Sequence, residues 1–130
     1  MKVLVDADFL VALAKEDDSN HQKATLKARG LKEAAVFITP FTIPESVTVV
    51  SYKVSHAAAK SLLEELRKKN FSEVVLDQEI IREADKVFLR ETKKGTSWID
   101  CVNVAVVKKY QLDGILSFDA FYKKCGVVLL

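Results

Sequence analysis

The chain has 130 residues, of which 49% are hydrophobic and 29% charged, and its formal net charge is +2. These values are typical of a compact globular protein with a single domain over residues 1–130, and they exclude a disordered or fibrous chain. No apolar stretch approaches the length of a membrane span and no charged leader precedes the first predicted strand, so we expect a cytoplasmic protein with no membrane partner.

Short aliphatic runs alternate with segments of helical periodicity, which predicts an α/β fold with a mostly parallel sheet. The continuous apolar character of the strands indicates that both faces of the sheet are covered. In chain order, the predicted elements are a strand at 2–5, helices at 9–14 and 21–29, a strand at 36–39, helices at 42–54 and 56–69, a strand at 74–76, helices at 77–94 and 98–110, a strand at 115–117, a short helix at 120–123 and a strand at 127–129.

Two of the predicted helices bear directly on function. The helix over 77–94 has Asp77 as its N-cap and Gly95 as its stop signal. The helix over 98–110 is apolar almost all round for its first three turns, so we expect it to be buried. Asp100 nevertheless lies in the first turn of that helix.

Acidic residues stand where the predicted strands give way to helices. They are Asp6 and Asp8 after the first strand, Glu45 after the second, Asp77 after the third, Asp100 at the start of the buried helix and Asp119 after the fourth strand. Because ligands of parallel sheets bind at the carboxyl ends of the strands, these acids are candidates for one shared site.

Taken singly, each acid can also be explained as a helix cap or as a first-turn acid that favours the helix dipole. Candidates for such roles are Asp8, Asp77, Asp119 and the two capping boxes Thr42 to Glu45 and Ser97 to Asp100. Asp100 fits this explanation poorly, because an unpaired carboxylate on a buried helix costs several kcal/mol. Asp6 also fits it poorly, since it ends an apolar strand before any predicted helix begins.

Convergence of Asp6, Glu45, Asp100 and Asp119 would create a repulsion of about 4 kcal/mol for each pair at ~4 Å and an effective dielectric constant of about 20. A divalent cation would remove that penalty. Since the ligands would all be oxygen atoms, with no clustered His or Cys, Mg²⁺ or Mn²⁺ fits better than Zn²⁺. Such a cation can activate a water molecule and stabilise the charge of a phosphodiester during its hydrolysis.

Three stretches of the sequence carry a family resemblance. The first is the aliphatic run into Asp6 and Phe9-Leu10, the second is PESVTVVSYK with Glu45, and the third and most specific is SWIDCVNVAVVKKYQLDGILSFDAF. The third stretch has an acid that opens a buried helix, an Asp113-Gly114 turn and an ending similar to the pattern Ser-Phe-Asp-x-x-Phe. Together they resemble the PIN-domain ribonucleases, in particular their VapC-type toxins.

The resemblance implies a PIN-like three-layer α/β/α sandwich around a mostly parallel, five-stranded sheet of order 3-2-1-4-5. In that order the third strand is an edge, so Asp77 lies outside the site. The resemblance further implies that Asp6, Glu45, Asp100 and Asp119 are the catalytic residues and the ligands of Mg²⁺ or Mn²⁺.

Three further residues are candidate accessories of the site. Asp8 stands where the family often has Ser or Asn, and we expect it to cap the next helix rather than to bind metal. Ser97 is expected to act as a cap. Asn103, one turn beyond Asp100, either faces the site or is a satisfied polar group within its helix.

By the same resemblance, the chain is expected to be a metal-dependent endoribonuclease and the toxin of a toxin-antitoxin pair. Its partners would be an RNA substrate, a second copy in a homodimer, and a small antitoxin whose tail occupies the acidic groove. Exposed apolar residues of the helices within 42–69 are the expected dimer surface.

Three other functions remain open from the sequence. VLVDADFL resembles the Asp-x-Asp start of haloacid-dehalogenase-like phosphatases, in which the first Asp is a covalent nucleophile. A response-regulator receiver suits the chain length and would use an acid such as Asp77 at the end of the third strand. The third alternative is a binding module that has the PIN fold and no catalytic activity.

Overall fold

The computed structural model describes all 130 residues of the chain. Its strands are β1 Lys2–Val5, β2 Ala35–Ile38, β3 Ser72–Glu73 and β4 Gly114–Leu116. Its helices are α1 Ala7–Ala14, α2 His21–Arg29, α3 Thr42–Lys53, α4 His56–Arg67, α5 Gln78–Arg90, α6 Trp98–Lys109 and α7 Phe121–Lys124. No helix is both long enough and apolar enough to cross a bilayer.

The four strands form one parallel sheet in the order β3-β2-β1-β4. The central strand is β1, in which Leu4 aligns with Phe37 of β2 on one side and with Ile115 of β4 on the other. This arrangement confirms the predicted order of the first four strands. It also brings the carboxyl ends of β1, β2 and β4 to the same edge of the sheet.

Each face of the sheet has its own apolar core. Val3 and Val5 of β1 belong to one core and Leu4 belongs to the other, as the two-residue period of a strand requires. The core around Val3 and Val5 includes residues of α1 to α4, whereas the core around Leu4 includes residues of α5, α6 and α7. The result is the expected three-layer α/β/α arrangement.

The fifth predicted strand is reduced to one parallel bridge between Ile115 and Leu129. The Ile115 N–H donates to the Val128 carbonyl at 2.9 Å, and the Leu130 N–H donates to the Ile115 carbonyl at 3.0 Å. The terminal segment therefore lies beside β4, at the position of the fifth strand in the expected order. With only one residue pair in register it does not form a regular strand.

The third strand lies at Ser72–Glu73, earlier than the predicted 74–76. Val74 is still bonded to the sheet, since its N–H donates to the Ile38 carbonyl at 2.9 Å. Val75 is 76% exposed, so the apolar run continues past the point where the backbone leaves the sheet. An apolar run at a short edge strand does not fix where pairing ends.

Several helix boundaries differ from the prediction, and those of α1 and α5 have an identifiable cause. Helix α1 begins at Ala7 and Asp6 is its N-cap, so the expectation that a capping role explains Asp6 poorly is wrong. Helix α5 ends at Arg90, and Glu91 adopts an extended conformation, whereas Gly95, with a φ of +87°, lies in the loop beyond. The residues between Glu91 and Gly95 are polar, so extending the helix through them would bury no apolar side chain.

We expect Gly114→Ala to destabilise the fold. A Cβ added at Gly114 would lie 2.6 Å from the Val128 carbonyl oxygen and 2.9 Å from the Leu130 side chain. That carbonyl accepts the Ile115 N–H, so it cannot move away without loss of a hydrogen bond. The free energy of unfolding in urea should fall by about 1 to 3 kcal/mol.

The matched control is Gly30→Ala. The nearest atom to a Cβ added at Gly30 is a carbonyl oxygen 3.5 Å away, which is an ordinary contact. We expect this variant to change stability by no more than about 0.5 kcal/mol. Equal stabilities of the two variants would contradict the close packing of β4 against the terminal segment.

Candidate active site

Five acidic side chains lie around the carboxyl end of the sheet, each at the start of a helix. Asp6 is the N-cap of α1 and Asp8 lies in its first turn; Glu45 and Asp100 lie in the first turns of α3 and α6. Asp119 precedes α7. Asp6 is buried, Asp8, Glu45 and Asp100 are half-buried, and Asp119 is exposed, so the group runs from the protein interior to its surface.

Asp6 is the most firmly held of these acids. Its Oδ1 accepts the Ala7 N–H at 2.8 Å and an Asn103 Nδ2–H at 3.3 Å. Its Oδ2 accepts from the Tyr122 hydroxyl at 2.7 Å and from the Ser117 hydroxyl at 3.1 Å. Four donors supply one carboxylate, which fixes its orientation and stabilises its charge.

The Tyr122 hydroxyl lies between two carboxylates. It is 2.7 Å from Asp6 Oδ2 and 2.9 Å from Asp100 Oδ1, and it accepts an Asn103 Nδ2–H at 2.9 Å. A phenol has one proton to donate. It can therefore donate to Asp6 or to Asp100, but not to both.

The Ser117 hydroxyl has the same arrangement. It lies 3.1 Å from Asp6 Oδ2 and 3.0 Å from Asp8 Oδ2, and it accepts the Asp119 N–H at 3.1 Å. Asp8 Oδ2 also accepts the Phe118 N–H at 2.8 Å. Ser117 again offers one proton to two carboxylates.

The site therefore needs two positive charges that its own donors do not supply. The hydroxyls of Ser117 and Tyr122 each contact two carboxylates. If Asp6, Asp8 and Asp100 were all ionised, one of the two contacts at each hydroxyl would bring two oxygen atoms together with no hydrogen atom between them. Protonation of Asp8 and Asp100 completes the hydrogen bonding and leaves Asp6 ionised with its four donors. A divalent cation would supply the same total charge.

The pKa values of these acids agree with a site that lacks two positive charges. Burial, followed by the charge of Asp6, raises the pKa of Asp100 to about 7 and that of Asp8 to about 6. Burial also raises the pKa of Glu45, as do the charges of Asp6 and Asp8. Burial raises the pKa of Asp6 too, while hydrogen bonds from Tyr122 and Ala7 act in the opposite direction.

The donor set fits a hard divalent cation. None of the four ion pairs of the chain involves an acid of this group, so no basic side chain neutralises the group. Asp8 Oδ1 is buried without a hydrogen-bond partner. As they stand, no three acidic, histidine or cysteine side chains are close enough together to hold one ion. Cation binding therefore requires carboxylates such as that of Asp100 to rotate toward a common point.

The other predicted residues have the following places. Asp77 caps α5 by accepting the Ile80 N–H at 2.9 Å, and it pairs with Lys109. Lys109 lies nine residues beyond Asp100 on the same helix, about 13 Å along its axis, so Asp77 is remote from the site. Ser97 caps α6 and accepts the Asp100 N–H at 3.3 Å.

Two capping assignments are wrong. Asp8 was expected to cap a helix, but its carboxylate bonds across to Ser117 and Phe118 beyond β4. Thr42 does not begin a capping box, because it is already the first residue of α3 and its hydroxyl accepts the Thr39 N–H at 3.0 Å. Glu45 is thus left without a capping partner.

Two residues of the site were missed by the sequence analysis, Ser117 and Tyr122. Ser117 belongs to the Ser-Phe-Asp segment, in which a serine carries no separate signal of a role in the site. Tyr122 occupies the place of the final Phe in the pattern Ser-Phe-Asp-x-x-Phe, and a hydroxyl at that place was the available signal. Asn103 faces the site, as one of its two predicted alternatives required.

We expect Asp100→Asn to stabilise the fold at neutral pH in the presence of a chelator. The pKa of Asp100 is raised to about 7 in the folded chain from about 3.9 in an unfolded one. Between these values the folded state binds more protons, so the free energy of unfolding falls as pH rises. The variant should be more stable by about 1 to 3 kcal/mol at pH 8 in urea denaturation, and the difference should shrink toward pH 4.

The control for this prediction has the opposite sign. The pKa of Asp77 is lowered, mainly by its hydrogen bond with Lys109, so the ionised carboxylate stabilises the fold. Asp77→Asn should therefore lower the free energy of unfolding at pH 8, and should lower it less at acid pH, where Asp77 of the wild-type protein is protonated. A gain for Asp100→Asn that does not depend on pH would contradict the charge shortage inferred here.

Comparison with known proteins agrees with this architecture. The family model described as the PIN domain matches residues 3–126. No curated protein matches the chain.

Two solved structures are similar over nearly the whole chain. VapC20 of Mycobacterium tuberculosis, described as a sarcin-ricin loop cleaving toxin, is 20% identical with a TM-score of 0.86, and the alignment covers 98% of each chain. VapBC2 of Rickettsia felis, described as bound to a DNA fragment from its promoter, is 13% identical with a TM-score of 0.71, and the alignment covers 100% of this chain and 98% of the other. At such identities the likeness is one of fold, while the family model extends over most of the sequence. The chain belongs to the PIN-domain family.

Proposed function

We propose that the chain is an endoribonuclease that depends on Mg²⁺ or Mn²⁺. The observation that carries this proposal is the group of buried and half-buried carboxylates at the end of the sheet, which lacks two positive charges and takes part in no ion pair. A site built only to stabilise the fold gains nothing from such a shortage, because each uncompensated carboxylate costs free energy.

The proposed ligands are Asp6, Asp100, Asp119 and Glu45, and Asp8 joins them through its unpartnered oxygen. A bound divalent cation would lower the pKa of water and offset the charge of a phosphodiester. Asp6 supplies a fixed anionic centre, since its four hydrogen bonds set its orientation. Glu45 is half-buried with a raised pKa, which suits a group that orients an attacking water and accepts its proton.

The charge balance outside the proposed quartet favours a polyanionic substrate. The chain has 20 basic and 18 acidic residues; without the four acids of the proposed quartet, 20 bases face 14 acids. The exposed position of Asp119 leaves one side of the site open. A polymer that passes along this side is a better fit than a small ester held in a closed pocket.

The proposed cellular role is that of a toxin in a toxin-antitoxin pair of the cytoplasm. The two similar structures support this role, since one is described as a sarcin-ricin loop cleaving toxin and the other as VapBC2. The expected partner is a small antitoxin whose tail occupies the acidic groove.

The phosphatase and receiver alternatives lose their support. Membership of the PIN family accounts for VLVDADFL without a covalent nucleophile, and the carboxylate of Asp6 already accepts four hydrogen bonds. Asp77, which a receiver would need in its site, is a helix cap. A non-catalytic PIN module remains as an outcome of the experiment below.

We expect wild-type protein to cleave a single-stranded RNA oligonucleotide with Mg²⁺ or Mn²⁺, and EDTA to abolish the cleavage. Asp6→Asn and Asp100→Asn should each lower the rate by roughly 100-fold or more, the scale on which charged groups contribute in active sites. Asp77→Asn is the matched control, because Asn caps a helix as well as Asp does. RNA binding without cleavage by wild-type protein would identify a non-catalytic module.

We also propose a homodimer formed through α3 and α4. Tyr52, Val54 and Leu63 are 88%, 51% and 37% exposed on this side of the molecule, and grouped exposed apolar side chains mark interaction surfaces. Sedimentation equilibrium should give twice the chain mass of 14.5 kDa. Val54→Glu should give a folded monomer, whereas Val75→Glu, at another exposed valine, should leave the dimer intact.

A further inference from the structure

An aromatic pair lies beside the acids and has no role in the proposed hydrolysis. Phe41 and Trp98 pack edge to face, with their ring centroids 6.1 Å apart, and both residues are half-buried. We propose that this pair is a stacking platform for an unpaired base of the RNA substrate, and that Lys93 and Lys94 bind the phosphates next to that base. The proposal rests on the proposed endoribonuclease function and names a part of its substrate site.

The backbone places the pair next to two acids of the site. Phe41 directly precedes α3, and its carbonyl accepts the Glu45 N–H at 3.0 Å. Trp98 is the first residue of α6, two residues before Asp100. The contact between the rings therefore joins the starts of two helices that each carry an acid. With about 3.6 residues in each helical turn, Trp98 and Asp100 leave α6 on nearly opposite sides, so the indole flanks the acidic group and does not enter it.

Packing of the two cores does not account for Phe41. Its side chain belongs to neither core, whereas Trp98 packs against the core around Leu4. The indole N–H donates to Asp85 Oδ1 at 2.8 Å, which fixes the orientation of the indole. Because the two rings are edge to face and not stacked, at least one of them keeps a face free for a third ring.

The loop that leads into Trp98 supplies positive charge. Lys93 and Lys94 lie in this loop, between α5 and α6, and both are exposed. Neither lysine takes part in an ion pair, and Glu91, the one acid of the loop, is paired with Lys124. Two unpaired ammonium groups, five and four residues before the indole, suit the phosphates on either side of a stacked base.

These parts fit single-stranded RNA better than a duplex or a polyanion without bases. In a duplex the bases stack on one another, whereas proteins that bind single strands stack bases on aromatic side chains and bind the backbone with basic ones. A base held on the platform would bring the adjoining phosphodiester toward the starts of α3 and α6, where Glu45 and Asp100 lie.

The test uses the fluorescence of Trp98, the single tryptophan of the chain. Single-stranded oligouridylate is mixed with the protein and Mg²⁺ in a stopped-flow instrument, so that binding is recorded before hydrolysis, and inorganic polyphosphate is the probe without bases. We expect oligouridylate to quench the emission and polyphosphate to leave it unchanged. Phe41→Leu, which keeps an apolar side chain and removes the ring, should weaken oligouridylate binding by about tenfold.

Two further variants serve as controls. Phe41→Tyr keeps an aromatic ring and should bind oligouridylate as tightly as wild-type protein does. Phe71→Leu makes the same change at another half-buried phenylalanine, which packs against the core on the other face of the sheet from Trp98. It should also match wild-type protein.

The lysines are tested by the dependence of binding on salt. Lys93→Gln combined with Lys94→Gln should reduce the slope of log affinity against log salt concentration by about 1.4, the change expected for two lost phosphate contacts on a single strand. An unchanged slope would overturn the proposed phosphate contacts.

The outcomes separate this proposal from the proposed function. If wild-type protein neither binds nor cleaves RNA, the endoribonuclease function fails and the platform fails with it. If wild-type protein cleaves RNA while oligouridylate leaves the Trp98 emission unchanged, or if Phe41→Leu binds as tightly as wild-type protein, the platform alone fails. Equal quenching by oligouridylate and polyphosphate also overturns the platform, because binding would then not require a base. This last comparison uses wild-type protein only, so it decides the matter even if Phe41→Leu does not fold.

Discussion

The shortage of protons among Asp6, Asp8 and Asp100 is the constraint on which the rest of the site depends. Two hydroxyl groups, those of Ser117 and Tyr122, each contact two carboxylates and can donate to only one. Buried carboxylates ordinarily have paired charges or full hydrogen bonding. Here the sets of donors and acceptors are unequal, and either protons or a cation must make up the difference.

The fold creates this shortage by converging helix starts on one sheet edge. The central strand β1 ends at Val5, so Asp6 enters α1 between the ends of β2 and β4. Helix α6 is buried along most of its length and presents Asp100 and Asn103 from two successive turns on the same side. Packing of the apolar faces therefore sets the spacing of the acids. The free energy gained by burying the two cores offsets the mutual repulsion of these acids.

The sequence predicted the parts of this structure that local patterns determine. Helix α2 has the predicted bounds and α6 is buried as its apolar composition indicated. The approach of acids to one edge followed from the rule for parallel strands. The predicted end of α5 and the predicted position of β3 were wrong, because both depend on where packing against the rest of the fold stops. Polar residues and residues of an edge strand carry no periodic pattern that marks this point.

The hydroxyl groups of the site could not be found in the same way. Ser117 is 111 residues from Asp6 and Tyr122 is 116 residues from it, and neither residue has a side chain that implies metal chemistry. Asp8 was assigned to a cap for a related reason: its position fits a first helical turn, and only the tertiary structure shows that its carboxylate reaches the loop beyond β4. Acids at a strand end can be recognised in a sequence because their charge needs compensation. The neutral groups that orient them cannot, because a serine or tyrosine in the site has the same local sequence pattern as one elsewhere in the chain.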